Sequence, residues 1–158
     1  MGSACDHDHD RSGLHGGALS RALAAADARS VQAGERMTAP RRRVLTLLLE
    51  AGEPVKAYDL IARFGEDGQA AKPPTVYRAL EFLERKGLVH RIASISAYVA
   101  CTGGESAHAA AFLICDCCGA TEEVAASVVD SLDGAAAKAG YVIERTTIEA
   151  HGRCPACR

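Results

Sequence analysis

The chain has 158 residues, enough for one ordinary domain or two small ones, and with 48% hydrophobic but only 4% aromatic residues its core must be built from Ala, Val, Leu and Ile. The net charge of −2, the lack of any apolar run near the roughly 18 residues of a membrane span, and the lack of a charged-then-apolar leader point to a cytoplasmic protein with no membrane role. Seven cysteines in a reducing compartment argue for metal or redox chemistry and against a disulfide framework.

The charge is unevenly spread. Residues 36–86 carry ten Lys/Arg against seven Asp/Glu, whereas residues 102–158 carry four against eight. The basic half suits a polyanion better than the acidic half does.

In chain order, residues 1–16 lack apolar periodicity and read as a disordered tail. Its Cys5, His7 and His9 alternate with aspartates but have no fixed geometry for a metal. An Ala-rich helix is expected from Ser20 to about Gly34, with Leu19, Leu23 and Ala26 on one stripe. A second follows Thr38, a candidate N-cap, and Pro40 in its first turn. Val44, Leu47, Leu48 and Ala51 give it one apolar face, and Gly52 stops it. Arg41, Arg42 and Arg43 at its front could reach a phosphate backbone, although such a cluster is also an ordinary solvated face.

A short third helix covers residues 56–64. A fourth begins at Pro73 and Pro74 and buries Val76, Ala79, Leu80 and Leu83. Arg78 and Arg85 point the other way, with Thr75 and Tyr77 near the exposed surface. Two strand-like runs, 88–92 and 97–101, complete a winged helix-turn-helix pattern, whose last helix enters the major groove of DNA.

A Gly/Ala/Ser hinge over 102–110 contains His108. Beyond it, strands at 111–115 and 120–124, a helix at 127–139 and a β-branched strand at 141–149 form a small α/β domain. About fifty residues is a size at which metals or oligomerisation are usually needed. Cys115 and Cys118 in C-D-C-C-G, and Cys154 and Cys157 in C-P-A-C, are two C-x-x-C knuckles, together the ligand set of a closed tetrahedral structural zinc site. Cys117 is an extra thiol inside the first knuckle. His90, Cys101, His108 and Glu123 are dispersed N, S and O donors where the two domains would join. Each has an ordinary alternative, but together they favour zinc over harder cations.

The stretches A-Y-D-L, K-P-P-T-V-Y-R-A-L-E-F-L, G-L-V-H-R-I, S-A-Y-V-A-C, F-L-I-C-D-x-C-G and I-E-A-H-G-x-C-x-x-C resemble the ferric uptake regulator family, and within it the zinc uptake regulator branch. The resemblance covers about residues 20–157 and implies an α+β fold. Its parts would be an N-terminal winged helix-turn-helix domain (17–101), the hinge (102–110) and a C-terminal α/β dimerisation domain (111–158). It implies a zinc-responsive, homodimeric repressor of zinc-uptake genes on palindromic double-stranded operators, not an enzyme and without a small organic ligand. Two zinc ions per protomer are implied: a structural one on Cys115, Cys118, Cys154 and Cys157, and a regulatory one on His90, Cys101, His108 and Glu123. DNA contacts carry over onto Tyr58 and Arg78. The run S-A-H-A-A-A replaces the His-rich stretch that many members place before the first knuckle, which fits the zinc branch. An iron- or peroxide-responsive regulator of the same family is the nearest alternative. A thiol–disulfide protein is the other, and it leaves one C-x-x-C unexplained.

Overall fold

The computed structural model describes residues 13–65, 72–101, 110–125, 129–144 and 146–158. The described residues up to Cys101 fall in one compact unit and those from Ala110 onward in another.

The N-terminal unit runs α1 (Gly16–Gln32), α2 (Ala39–Ala51), β1 (Val55–Lys56), α3 (Ala57–Phe64), α4 (Pro73–Arg85), β2 (Val89–Ile92) and β3 (Ala97–Ala100). α1 begins at Gly16, four residues before the expected Ser20. Its stripe is as anticipated: Ala26 is buried and Leu19 and Leu23 pack against the core. α2 starts after Thr38, but the Thr38 side chain makes no capping bond. The helix ends at Gly52, which takes the left-handed conformation at φ +63° that a Cβ would strain. Val44, Leu47 and Leu48 of α2 meet Leu60 and Phe64 of α3 and Val76, Leu80 and Leu83 of α4 in one aliphatic core.

The wing has three strands where two were expected. β3 pairs antiparallel with β2, from Val89↔Ala100 to Ile92↔Ala97, and also with the two-residue β1 through Val55↔Tyr98 and Lys56↔Ala97. A two-residue strand has too few positions to display a period, so no sequence pattern announces β1.

The C-terminal unit contains β4 (Ala110–Cys115), β5 (Thr121–Ala125), α5 (Val129–Lys138) and β6 (Thr147–Gly152). Its sheet has the order β5-β4-β6, antiparallel on the β5 side and parallel on the β6 side. The strand expected at 141–149 is displaced toward the C-terminus. β6 meets β4 from Ala110↔Thr147 to Cys115↔Gly152. Tyr141 and Val142, expected in the strand, are instead 74% and 90% exposed. β-branched composition signalled a strand, but pairing with β4 decided which residues joined it.

Among the described residues, no helix is long and apolar enough to cross a membrane. Of the disordered tail expected over residues 1–16, residues 1–12 lie outside the described residues, but Leu14 packs against the core, its amide donating to the Leu49 carbonyl at 2.7 Å, and Gly16 already begins α1. The loop at 66–71 and the hinge apart from Ala110 also lie outside the described residues, as does His108.

Candidate metal centres and nucleic-acid interface

Parallel strands put their C-terminal ends on the same side of a sheet. β4 ends in Cys115 directly opposite Gly152 of β6, so a chain turning back after each strand brings two knuckles face to face. The first is tightened by hydrogen bonds from the Gly119 amide to the Cys115 carbonyl and from the Cys115 amide to the Ala120 carbonyl, both 2.9 Å. Gly119 adopts φ +75°, as the turn requires. The second knuckle closes through a short 3₁₀ turn, Pro155–Cys157, with the Cys157 amide bonded to the Cys154 carbonyl at 2.9 Å. The Asp116 amide reaches the Gly152 carbonyl at 2.9 Å and extends the β4–β6 ladder into the site.

The ligand atoms of Cys115, Cys118, Cys154 and Cys157 all lie within 4.8 Å of one another. The Sγ atoms of Cys118 and Cys154 are 3.8 Å apart. Zinc–sulfur bonds of about 2.3 Å at tetrahedral angles require neighbouring sulfurs about 3.8 Å apart, so this donor set fits such an ion. Cys115 is buried, and the Cys154 amide points at its Sγ from 3.3 Å. Hydrogen bonds from the backbone of Cys118 and then Cys154 lower the Cys115 pKa to about 6. Cys157 is pushed up to about 12, first by burial and then by the sulfurs of Cys154, Cys118 and Cys115. Without a cation, the cluster holds a thiolate at Cys115 while disfavouring a second one at Cys157. Cys117 is exposed and is not one of the converging four.

A further pair braces this site. His151 of β6 and Asp116 of the first knuckle meet Nδ1 to Oδ1 at 2.9 Å. Both lie within the quoted stretches F-L-I-C-D-x-C-G and I-E-A-H-G-x-C-x-x-C, but neither stretch indicates that the two side chains meet.

Of the dispersed donors, His90 and Cys101 come together in the N-terminal unit. His90 pairs with Val99 across the hairpin, and Cys101 lies two residues further on the same face, as the two-residue period of a strand dictates. The Cys101 amide extends the ladder to the Leu88 carbonyl at 2.9 Å. The ligand atoms of His90 and Cys101 are within 4.8 Å of each other, and both residues are half-buried. Glu123 belongs to the C-terminal unit, half-buried on β5 opposite Phe112.

On α4, Val76, Ala79, Leu80, Phe82 and Leu83 face inward. Arg78 is exposed, Tyr77 is 50% exposed, and Thr75 is half-buried at the helix start. Tyr58, at the start of α3, is 80% exposed. The helix therefore has a packed side and a polar side capable of entering a groove. The three arginines of α2 are placed differently from the expected phosphate cluster. Arg41 lies over the Phe82 ring, 3.5 Å from its centroid. Arg42 forms an ion pair with Asp27 of α1, and Arg43 donates to the Arg63 carbonyl at 3.1 Å.

The ferric uptake regulator family model matches residues 32–151. The chain is 43% identical to the zinc uptake regulation protein of Escherichia coli (strain K12) over 137 residues, 85% of this chain and 80% of that one. It is 37% identical to the ferric uptake regulation protein of Brucella abortus biovar 1 (strain 9-941), but over only 60 residues, 38% of this chain and 43% of that one. A solved structure described as a zinc uptake regulator complexed with zinc and DNA matches with a TM-score of 0.79 at 41% identity, covering 87% of this chain and 93% of that chain. With about three quarters of its length inside the family model and its knuckles and winged helix in place, the chain belongs to the ferric uptake regulator family.

Proposed function

We propose that the chain is a cytoplasmic, zinc-responsive transcriptional repressor that binds double-stranded operator DNA as a homodimer and carries two zinc ions per protomer. The observation that carries this reading is the convergence of four sulfurs at zinc-compatible spacing in a chain 43% identical to a zinc uptake regulation protein.

Cys115, Cys118, Cys154 and Cys157 are the structural ligands. His90, Cys101, His108 and Glu123 are the regulatory ligands. Zinc bound there supplies the cross-link that makes DNA affinity depend on the free ion. Coupling of this kind is typically worth about 1–3 kcal/mol, and it acts only as far as the ligands hold the metal more tightly in the DNA-competent arrangement. Arg78 reads base edges from the exposed side of α4, while Thr75, Tyr77 and Tyr58 contact backbone or base methyls. Arg41, Arg42 and Arg43 add positive potential, but their intramolecular contacts make direct phosphate binding their lesser role.

Support for the homodimer comes from the C-terminal unit, where Leu113, Leu132, Tyr141 and Val142 are all large, apolar and exposed. Iron or peroxide sensing on the same fold fits less well. Cys101 contributes a soft thiolate, which favours zinc, and the matching ferric regulator covers little more than a third of the chain.

The test is zinc content together with zinc-dependent DNA binding for His108→Ala, Cys101→Ser and Glu123→Ala. Each is expected to keep the structural zinc and lose the zinc response. An unchanged zinc response in all three would overturn the assignment of the regulatory set.

A further inference from the structure

The last turn of α4 is gripped from three directions, and one of the contacts comes from Arg41, whose charge first suggested DNA. From α1, the Arg29 guanidinium donates to the Lys86 carbonyl just past the helix end, at 3.1 Å. From the turn after α1, Glu35 places one carboxylate oxygen 2.5 Å from Lys86 Nζ and the other 3.3 Å from Arg85 Nη2. From α2, Arg41 lies over Phe82, its guanidinium carbon 3.5 Å from the ring centroid, while its Nη1 donates to the Arg36 carbonyl at 2.6 Å. Phe82 is itself only 1% exposed.

These contacts share a geometry. A guanidinium stacked on a buried ring, and fixed at its edge by a carbonyl, is held in both tilt and position. Two cations on one carboxylate fix the azimuth of the helix end. A donor on the terminal carbonyl caps the helix where its dipole is negative. The Lys86 ammonium lowers the Glu35 pKa more than any other neighbour, so the carboxylate is charged throughout the physiological range. Exposed ion pairs of this kind add little to global stability. Their effect is on orientation. Arg78 sits about one turn upstream of Phe82 on the same helix, so a tilt at Phe82 moves its guanidinium off a base edge.

We propose that Arg41 and Glu35 are positioning residues that set the docking angle of α4, so that the front of α2 serves base recognition through the helix rather than by touching phosphate. This rests on the DNA-binding reading above.

The experiment uses full-length, zinc-loaded protein and a duplex selected by the wild-type protein from random-sequence DNA, with an unrelated duplex as control. Arg41→Lys keeps the charge and removes the planar stack. Glu35→Gln keeps every cation and removes their anchor. Both are expected to weaken binding to the selected duplex by about tenfold, with the unrelated duplex bound as before. The dependence of affinity on salt should not change. A direct phosphate role for Arg41 predicts the reverse pattern: Arg41→Lys near wild type, and Arg41→Gln lowering the salt slope by about 0.9 on both duplexes. A general electrostatic role predicts that Glu35→Gln tightens both duplexes. Either pattern, or no change in either variant, overturns the proposal. Thermal unfolding and zinc content identify any variant that fails to fold, in which case the other decides. If the wild-type protein itself does not bind DNA in zinc, it is the DNA-binding reading that fails.

Discussion

Asp116, in the turn after β4, and His151, on β6, are 35 positions apart and meet at 2.9 Å beside the four-sulfur cluster. The bond spans from the first knuckle to the strand that delivers the second. Neither residue is a ligand, yet the pair ties together the two turns whose sulfurs converge. His151→Ala is therefore expected to leave zinc stoichiometry unchanged and to speed zinc loss to a chelator by up to about tenfold, in line with outer-shell partners of metal sites. Competition with a colorimetric chelator measures it. A wild-type rate would mean the brace has no mechanical role.

Cys154→Ser removes one of the four converging sulfurs, a ligand in the reading proposed above. Structural zinc is a large contributor to the stability of small metal-binding domains. The variant should lose one zinc equivalent and much of the thermal stability of the C-terminal unit, which still melts but at a lower temperature. The N-terminal unit, with its own core, should keep a separate thermal transition. Calorimetry beside metal analysis distinguishes these outcomes.

Removing the metal exposes the thiol electrostatics. Cys115 is lowered from 9.0 to about 6, so its contribution to stability is complete above 9 and is lost as pH falls through 6. Cys157 is raised from 9.0 to about 12, so its contribution is complete below 9 and is lost as pH rises through 12. The two slopes oppose each other, and the zinc-free C-terminal unit should be most stable near pH 9. Thermal melts of chelated protein across pH 6–12 should trace that maximum. A steady rise or fall across the range would contradict the one-thiolate picture.

Arg78 is exposed, so Arg78→Ala should leave thermal stability within about 0.5 kcal/mol of wild type. The same change should weaken binding to a selected duplex by about 1–3 kcal/mol and relax preference at one base position. Fluorescence anisotropy with single-base variants of the duplex reads both quantities.

Val142 is 90% exposed beside Tyr141, which is also exposed. If this apolar surface is the contact between two copies, Val142→Glu should weaken self-association by at least about tenfold, since it places an unpaired charge in that contact. Sedimentation at several concentrations measures the shift. Undiminished association would move the interface elsewhere.

How far the residues alone could be read depended on the range of the interaction concerned. The faces of α2 and α4 were legible because helical periodicity is local, as in Val76, Ala79, Leu80 and Leu83. The four cysteines were legible because ligand chemistry restricts the alternatives. The extent of β6 was not, because it depends on where a strand about forty residues earlier begins to pair. The surroundings of Arg41, Arg42 and Arg43 were not either, because Phe82, Asp27 and the Arg63 carbonyl are brought to them by folding. Among the dispersed donors, the proximity of His90 and Cys101 follows from hairpin register, which no composition pattern states.

The parallel pairing of β4 with β6 also imposes an order on biosynthesis. Every residue of the N-terminal core precedes Cys101, so that unit can collapse while the ribosome is still translating the C-terminal unit. β4 has no such option. Its central position in the sheet and two of the four converging sulfurs come from residues 147–157, so a nascent chain that has released Cys115, Cys117 and Cys118 carries three thiols without the second sulfur pair, and an unsatisfied strand edge, until some forty further residues emerge. During that interval the first knuckle is open to oxidation and to the wrong metal.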